Sequence, residues 1–350
     1  MLGKSIIAFM IAPTSNRNHA MKISKRFIFG LCLGNLIVPS PISAATFDVR
    51  LEQEFQKILS ADAEVRKLAD GMRFIEGPVW IHSDGGFLVF SDIPANQLKR
   101  WDEKAGLRDF REPSGNANGN TIDLQGRLIS AEHGNRRVSR TELDGSIHTL
   151  VAEFEGKKFN SPNDVVCKSD GTLWFTDPDY GLAGRPKEIP GNHVYRHDPK
   201  TRTTTVLVKD FDKPNGLCFS PDETKLYVAD SGGPRHIRVF HVQADGTVTG
   251  GEVFCEIDRG GPDGIRCDAE GRVWSSAGDG VHVFATDGRL IGKILVPEAP
   301  ANLGFGGKDF QTLFITARTS LYAIETKVKG AGIIPKAPGI LRGPQAVTDF

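Results

Sequence analysis

SPNDVVCKSDGTLWFTDPDYG, residues 161–181, contains two short apolar runs joined by an Asp-Gly turn. The first run follows the polar turn SPN, and the second run, TLWF, ends at Thr176 and the acidic Asp177. Short runs rich in Val, Trp and Phe, separated by a tight polar turn, are typical of paired antiparallel strands. This stretch therefore predicts a strand, a turn and a second strand, with polar residues at both outer ends.

The same unit recurs six times along the chain. Its openings are GPVW at Gly77, NTID at Asn120, NDVV at Asn163, NGLC at Asn215, DGIR at Asp263 and NLGF at Asn302. The second strands read FLVFSD (87–92), RLISAE (127–132), TLWFTD (172–177), KLYVAD (225–230), RVWSSA (272–277) and TLFITA (312–317). A third strand pattern follows each of them, and repeats of about 40–50 residues with four short strands are typical of propeller blades. We predict an all-β fold, a six-bladed β-propeller over residues 67–326.

The flanks of the repeats have different patterns. Phe47, Leu51, Phe55 and Leu59 follow i, i+4 spacing, which predicts a short amphipathic helix in residues 46–66. Residues 64–73 are predicted to add a strand to the last blade and so to close the ring. Residues 327–350 are rich in Gly and Pro and predict an irregular tail.

Residues 1–45 have the pattern of a secretory signal peptide. They contain five basic and no acidic residues, an apolar stretch over 27–38, and small residues at 43–45. That apolar stretch is shorter than the roughly 20 residues that a spanning helix needs. Met21 is a second candidate for the true start, because the signal pattern begins there. We expect an exported protein, in the periplasm if the cell has two membranes.

Charge and cysteine content narrow the function classes. The chain has 43 Lys+Arg and 43 Asp+Glu, which argues against a nucleic-acid-binding protein because such proteins usually carry a basic excess. We also expect no membrane association once residues 1–45 are removed. Cys167, Cys218, Cys255 and Cys267 form no C-x-x-C motif, and the sequence leaves open whether they are disulfide-bonded or free thiols. The oligomeric state is equally open.

Four of the repeat openings carry an acid or amide at the predicted channel. These residues are Glu76, Asn163, Asn215 and Asp263. A single Asn or Asp in such a turn usually caps the backbone, but four at equivalent places in different blades converge in space. Their oxygens suit a hard cation, with Ca²⁺ first and then Mg²⁺ or Mn²⁺. The absence of imidazole and thiolate disfavours zinc and copper, and Zn²⁺ stays only as the last alternative.

Other polar residues are candidates for substrate contacts at the same mouth. His133, Asn135 and Arg136 follow the second strand of the second unit, and Tyr180 and Asp177 hold the matching place in the third. Asp230 matches them in the fourth unit. Asn120 and Asn302 open the second and sixth units and are predicted to point into the channel. This polar set suits a polyhydroxylated substrate better than an apolar one.

The motifs EGPVW, SPND, DGTLWFTDPDYG, PNGL and PDGI, in this order, resemble the regucalcin/gluconolactonase superfamily. AEHGNRRV at 131–138 and FTDPDYG at 175–181 are similar to its bacterial gluconolactonase branch. The resemblance covers residues 70–326 and implies a six-bladed propeller with one divalent cation in its channel. The family's metal-binding Glu falls on Glu76, its two Asn on Asn163 and Asn215, and its Asp on Asp263. That Asp is also the family's proposed general base or nucleophile.

The resemblance implies a metal-dependent lactonase that opens a sugar lactone, D-glucono-1,5-lactone, to gluconate. A cation would act as a Lewis acid on the carbonyl while water attacks. Asp263, a metal-bound hydroxide and His133 remain alternative carriers of the proton. Two other functions stay open: an esterase or phosphotriesterase-type hydrolase using the same site, and a propeller that binds a ligand without catalysis.

Overall fold

The computed structural model describes residues 46–335 and 339–343. The signal-peptide prediction for residues 1–45 lies outside these residues. The described chain begins with β1 (Phe47–Val49), α1 (Glu52–Ile58) and β2 (Arg66–Ala69). No helix in the described ranges is both long and apolar enough to cross a membrane.

Three four-stranded antiparallel sheets come next in the chain. Blade one contains β3 (Ile75–Ile81), β4 (Phe87–Asp92), β5 (Gln97–Asp102) and β6 (Gly106–Arg111). Blade two contains β7 (Ala117–Ile122), β8 (Leu128–Glu132), β9 (Arg137–Thr141) and β10 (Ile147–Val151), and a hairpin of β11 (Glu153–Phe154) and β12 (Lys157–Lys158) follows it. Blade three contains β13 (Val165–Cys167), β14 (Leu173–Asp177), β15 (Asn192–Asp198) and β16 (Thr203–Phe211), with a 3-10 turn, Tyr180–Leu182, after β14.

The remaining three sheets complete the ring. Blade four contains β17 (Pro214–Phe219), β18 (Lys225–Asp230), β19 (His236–Val242) and β20 (Val248–Glu256). Blade five contains β21 (Ile265–Cys267), β22 (Val273–Ser276), β23 (Gly280–Phe284) and β24 (Leu290–Leu295). Blade six contains β25 (Pro300–Gly306), β26 (Thr312–Ala317) and β27 (Ser320–Glu325) and takes β2 as its fourth strand. The predicted six-bladed propeller is confirmed.

The N-terminal segment contributes to two blades. β2 pairs with β27, so a strand from the beginning of the chain closes blade six. β1 pairs with β24 and becomes a fifth strand of blade five, with Phe47 opposite Ile294. The helix predicted from Phe47 onward is therefore shorter than expected, and only Glu52–Ile58 is helical. Phe47 still packs edge-on against Phe55, with ring centroids 5.5 Å apart, so its apolar side chain serves a strand instead of a helix.

The core lies between the faces of neighbouring blades. Trp174 and Trp274, on the second strands of blades three and five, are fully buried. Trp274 packs edge-on against Phe305 of β25, with ring centroids 5.4 Å apart. Trp174 packs in the same way against Phe219 of β17, with ring centroids 5.1 Å apart. Burying such aromatic side chains stabilises the fold by roughly 2–3 kcal/mol each. Each blade thus fixes the position of the next.

Candidate active site

The inner strands of the blades begin at one end of the central channel, and the four predicted ligand residues lie there. Glu76 and Asn215 lie near the starts of β3 and β17, and Asn163 and Asp263 lie two residues before β13 and β21. Glu76, Asn163 and Asn215 are buried, and Asp263 is half-buried. The backbone N–H of Gly119 donates to the carbonyl of Asn163 at 2.7 Å and joins blades two and three at this level. Residues from four blades therefore line one mouth.

This mouth concentrates negative charge. Burial, the charge of Asp263 and the charge of Asp164 raise the pKa of Glu76 well above its usual range, although the side chain of Asn302 partly offsets them. Burial and the charge of Asp164 raise the pKa of Asp263 to about 7. Asp164 is itself paired with Arg266, Nη1 to Oδ2 at 3.2 Å. Three carboxylates and one guanidinium leave two negative charges once all are ionised, which is the charge that a divalent cation would balance.

Two oxygens at the mouth have no hydrogen-bond partner among the described residues. They are Oδ1 of Asp263 and Oδ1 of Asn118, and both are buried. An unpaired buried oxygen is costly, because it loses its water without gaining a donor. Carboxylate and amide oxygens are ligands that hard cations prefer. The residues present therefore fit a hard divalent cation.

Asn118 was not singled out by the sequence analysis. It lies in β7, and its amide nitrogen is 3.4 Å from Nε2 of His133. The sequence does contain a signal for it, because Asn118-Gly119 repeats the Asn-Gly pair of Asn215-Gly216. The repeat pattern had instead placed the opening of blade two at Asn120, two residues further along the strand.

Asn120 is part of the scaffold, contrary to the expectation that it contacts substrate. Its amide nitrogen donates to the carbonyl of Gly77 and to Oγ of Ser91, both at 2.9 Å, and its Oδ1 accepts from Oγ of Ser130 at 2.7 Å. These bonds tie blade two to blade one. Gly77 has φ +56°, and a Cβ there would lie 2.1 Å from the carbonyl oxygen of Asn118, so only glycine allows this close approach.

Asn302 lies beside Glu76, as its predicted position in the channel requires. Its Oδ1 accepts from the backbone N–H of Leu303 at 2.8 Å. Its amide contact lowers the pKa of Glu76 and opposes part of the burial effect. Asn302 is 2% exposed and therefore helps to set the charge of Glu76, a predicted ligand residue.

In the turn after β8, His133 faces the site, whereas Asn135 and Arg136 do not. His133 is buried against Asn118, and burial together with the charge of Arg185 lowers its pKa to about 4. Asn135 instead donates to Glu132 at 2.6 Å. Arg136 donates to Glu188 at 3.1 Å and to the carbonyls of Phe159 and Lys158. Asn135 and Arg136 thus hold loops together, in contrast to the expectation of substrate contacts.

Tyr180 lies on the rim of the mouth. Its side chain is half-exposed, at 48% of the residue surface. Burial of its remaining surface and then the charge of Asp263 raise its pKa to about 12. Tyr180 therefore keeps its phenol proton at neutral pH, and its phenol lies within electrostatic reach of Asp263.

Asp177 and Asp230 organise the backbone instead of lining the mouth. Asp177 accepts hydrogen bonds from the backbone N–H groups of Asn160 and Ser161 at 2.8 and 2.7 Å. Asp230 accepts from the backbone of the two residues directly before β17, at 3.0 and 2.9 Å. Asp92 does the same for the two residues directly before β3, at 3.1 and 3.2 Å. In three blades, the acid that ends the second strand therefore fixes the segment leading into the inner strand.

Comparison with known proteins identifies the family. Residues 74–319 match the family described as the SMP-30/gluconolactonase/LRE-like region. The chain belongs to this family. A gluconolactonase from Zymomonas mobilis is 35% identical over 302 residues, which cover 78% of this chain and 84% of that protein. A pentonolactonase from Haloferax volcanii is 29% identical over 253 residues, which cover 70% and 81%.

A solved structure agrees with this assignment. The gluconolactonase from Xanthomonas campestris has 34% sequence identity to this SMP-30/gluconolactonase family member and a TM-score of 0.77. The match covers 81% of this chain and 96% of that one. The resemblance drawn from the sequence motifs is therefore confirmed at the level of the family.

A second cluster of ionisable side chains in this family member lies in blade five and in the loop that leads into that blade. Asp258, Asp279 and His282 lie close enough together to share a cation. The ammonium of Lys293 already lies between them, 2.7 Å from Oδ1 of Asp258 and 3.2 Å from Oδ2 of Asp279. The group is therefore an ion-pair network of blade five, which the sequence analysis did not single out.

A cavity of about 490 Å³ lies at the opposite end of the inner strands. Its lining includes Val166, Phe219, Phe305 and Ile333, and none of the four predicted ligand residues. Its walls are partly apolar. Their two carboxylates, Asp222 and Glu223, follow β17, and Glu223 is paired with Lys168 at 3.0 Å. This cavity is therefore separate from the four predicted ligand residues at the other end of the inner strands.

Proposed function

We propose that this chain is a lactone hydrolase that opens D-glucono-1,5-lactone to gluconate and depends on one divalent cation. Ca²⁺ is the first candidate, followed by Mg²⁺ and Mn²⁺. Relatives named gluconolactonase and pentonolactonase support the reaction class. The observation that carries the proposal is the pair of carboxylates, Glu76 and Asp263, gathered with unpartnered oxygens at one mouth.

Glu76, Asn163, Asn215 and Asp263 would hold the cation through carboxylate and amide oxygens. A bound divalent cation supplies Lewis acidity toward a lactone carbonyl. Asn118 offers an unpaired amide oxygen that can accept a hydrogen bond from a substrate hydroxyl. These side chains would orient the lactone ring over Asp263.

Asp263 is the candidate base. Its Oδ1 is free to accept a proton from the water that adds to the carbonyl carbon. The ring C–O bond then breaks, and the departing ring oxygen takes up a proton to become the hydroxyl of the open acid. His133 is uncharged at neutral pH because its pKa is lowered to about 4, so it can relay that proton without holding it.

The decisive experiment follows lactone hydrolysis by pH-stat with purified protein. The wild type should exceed the spontaneous rate, lose the excess in chelator and regain it with Ca²⁺ or another divalent ion. Asp263→Asn should lower the enzymatic rate at least about a hundredfold, because it removes both a charge and a base. Asp258→Asn is the matched control, since Asp258 lies in the blade-five ion-pair network, and it should retain the wild-type rate.

Other outcomes distinguish the remaining functions. A protein that binds a divalent ion but leaves the lactone at its spontaneous rate would contradict the substrate, and other esters and phosphotriesters would be tested next. A protein with neither metal binding nor hydrolysis would contradict the proposal and favour a binding propeller.

We also propose that the protein is exported after cleavage near residues 44–45. The proposal rests on the basic, apolar and small-residue pattern of residues 1–45. N-terminal sequencing of the protein from a fractionated bacterial host should give a start near residue 45 in the exported fraction. Recovery of the uncleaved chain from the cytoplasm alone would contradict it.

A further inference from the structure

A short segment after β14 runs along the rim of the mouth. We define the rim segment as residues 179–185; it includes the 3-10 turn Tyr180–Leu182. Tyr180 is its half-exposed aromatic side chain, and the charge of Asp263 contributes to the raised pKa of its phenol. The position of this segment therefore decides how closely Tyr180 approaches the site.

Arg185 joins the rim segment to blade two. Its Nη1 donates to the carbonyl of Gly134 at 2.6 Å, and its Nη2 donates to the carbonyl of His133 at 2.8 Å. The same guanidinium also donates to the carbonyls of Gly181 and Leu182, at 2.7 and 2.8 Å. One side chain thus bonds both to the turn after β8 and to its own segment.

Gly181 brings the segment directly onto His133. A Cβ at position 181 would lie 2.4 Å from Cγ of His133, so only glycine allows this contact. The backbone N–H of Gly181 donates to Oγ of Ser161 at 2.9 Å, which anchors the segment to the approach to β13. The rim segment is therefore attached to blade three at Ser161 and to blade two at Arg185.

Two lysines fix the outer end of the segment. Asp179 accepts a hydrogen bond from Lys187 at 3.2 Å and another from Lys213. The ammonium of Lys213 also lies 5.6 Å from the centroid of the Tyr180 ring, within the range of a cation–π contact. The lysine contacts at Asp179 and Tyr180 and the Arg185 bonds at Gly181 and Leu182 therefore hold the rim segment on both sides of Tyr180.

We propose that Arg185 is a positioning residue that fixes the rim segment across the mouth, so that Tyr180 forms one wall of the substrate pocket. This inference rests on the proposed function for its kinetic consequence. Arginine suits the task because its planar fork reaches several carbonyls at once, which the single ammonium of lysine cannot do. Loss of the clamp should weaken binding of substrate and transition state alike, raising KM more than it lowers kcat.

The test compares Arg185→Gln, Arg185→Lys and Tyr180→Ala with the wild type. We expect Arg185→Gln to raise KM for glucono-1,5-lactone about tenfold, with kcat within about twofold of the wild-type value. The KM of Arg185→Lys should lie between those of the wild type and Arg185→Gln. Amide exchange of Gly181 and of residue 185 should accelerate in both Arg185 variants. Tyr180→Ala should raise KM similarly while leaving the exchange of the Arg185 amide near that of the wild type.

Arg235→Gln is the matched control, since Arg235 is exposed and lies in the corresponding loop of blade four; its KM and exchange should not change. Unchanged exchange in Arg185→Gln would overturn the clamp. Faster exchange with an unchanged KM would overturn the role of Tyr180 as a wall. Loss of divalent-ion affinity in Arg185→Gln, measured by calorimetry, would show a wider structural defect and also overturn the proposal. If the wild type hydrolyses no lactone, the proposed function fails, and amide exchange alone decides whether Arg185 holds the segment.

Discussion

Asn118 and Asn120 lie two positions apart in one strand and differ in their hydrogen bonding. The side-chain oxygen of Asn118 is buried without a hydrogen-bond partner among the described residues. Asn120 makes hydrogen bonds to Gly77, Ser91 and Ser130 and is 1% exposed. Residue type and strand do not separate them, and the one local signal is Gly119, which makes Asn118 match the Asn-Gly pair at Asn215.

Alanine at these two positions should separate activity from stability. Asn118→Ala should lower kcat/KM at least about tenfold with little change in the free energy of unfolding, because it removes an unpaired oxygen. Asn120→Ala should cost about 2–4 kcal/mol of stability, because it breaks several buried hydrogen bonds. Kinetics and urea denaturation of the two variants check this, and an Asn120→Ala protein that is as stable as the wild type would contradict it.

At the scale of the strands, acids that hold backbone turns recur around the ring. In blade six, Glu298 lies just before β25 and holds the start of β27 by accepting hydrogen bonds from Thr319, Ser320 and Tyr322. Burial alone would raise the pKa of Glu298, but these bonds outweigh it and lower the pKa to about 2. Lys67 of β2 lies 3.8 Å away, which places this acid beside the strand that closes the ring.

Glu298→Gln should destabilise the protein by about 1–2 kcal/mol at neutral pH, a value that allows for solvent screening around this partly exposed acid. The folded pKa lies below the unfolded value, so the ionised acid stabilises the fold above about pH 4.3 and this contribution is lost as the pH falls toward 2. Urea denaturation of both proteins at pH 7, 5 and 3 measures the difference. Glu325→Gln, at an exposed acid of the same blade, is the control; a difference that stays constant with pH would refute the assignment.

The whole molecule closes by pairing residues distant in the chain. β2 pairs with β27 in blade six, and β1 pairs with β24 in blade five. The N-terminal segment thus joins the last two blades of the ring. Closure also brings Glu76 of blade one within electrostatic reach of Asp263 of blade five. The stability of the ring is therefore coupled to the charge of the mouth.

Without divalent ions, the free energy of unfolding should fall as the pH rises from about 5 to 8. The folded pKa of Asp263, about 7, lies above its unfolded value, so the folded state binds the extra proton and loses stability when that proton leaves. We expect a decline on the order of 2 kcal/mol, reduced by excess Ca²⁺, which would bind the ionised pair. Thermal unfolding in chelator and in Ca²⁺ measures it; Asp263→Asn should flatten the chelator profile and Asp258→Asn should not.

Several elements were predictable from local pattern alone. The second strands predicted at 87–92, 225–230 and 312–317 coincide with β4, β18 and β26. Each unit contains its own alternating apolar residues and its own turn residues, so the strands can be predicted without long-range contacts. The number of units then predicts six blades. The four predicted ligand residues lie at one end of the channel because equivalent positions of a ring face the same centre.

Other features depended on contacts between distant units. Asn135 and Arg136 turn to Glu132 and Glu188, and β1 joins blade five although its apolar spacing also suited a helix. Local sequence was enough to predict the second strands, their sixfold repeat and the acid and amide residues at the repeat openings. Which polar side chains stay unpaired depends on long-range contacts, because each hydrogen-bond partner comes from a segment that folding brings close and that no local pattern specifies.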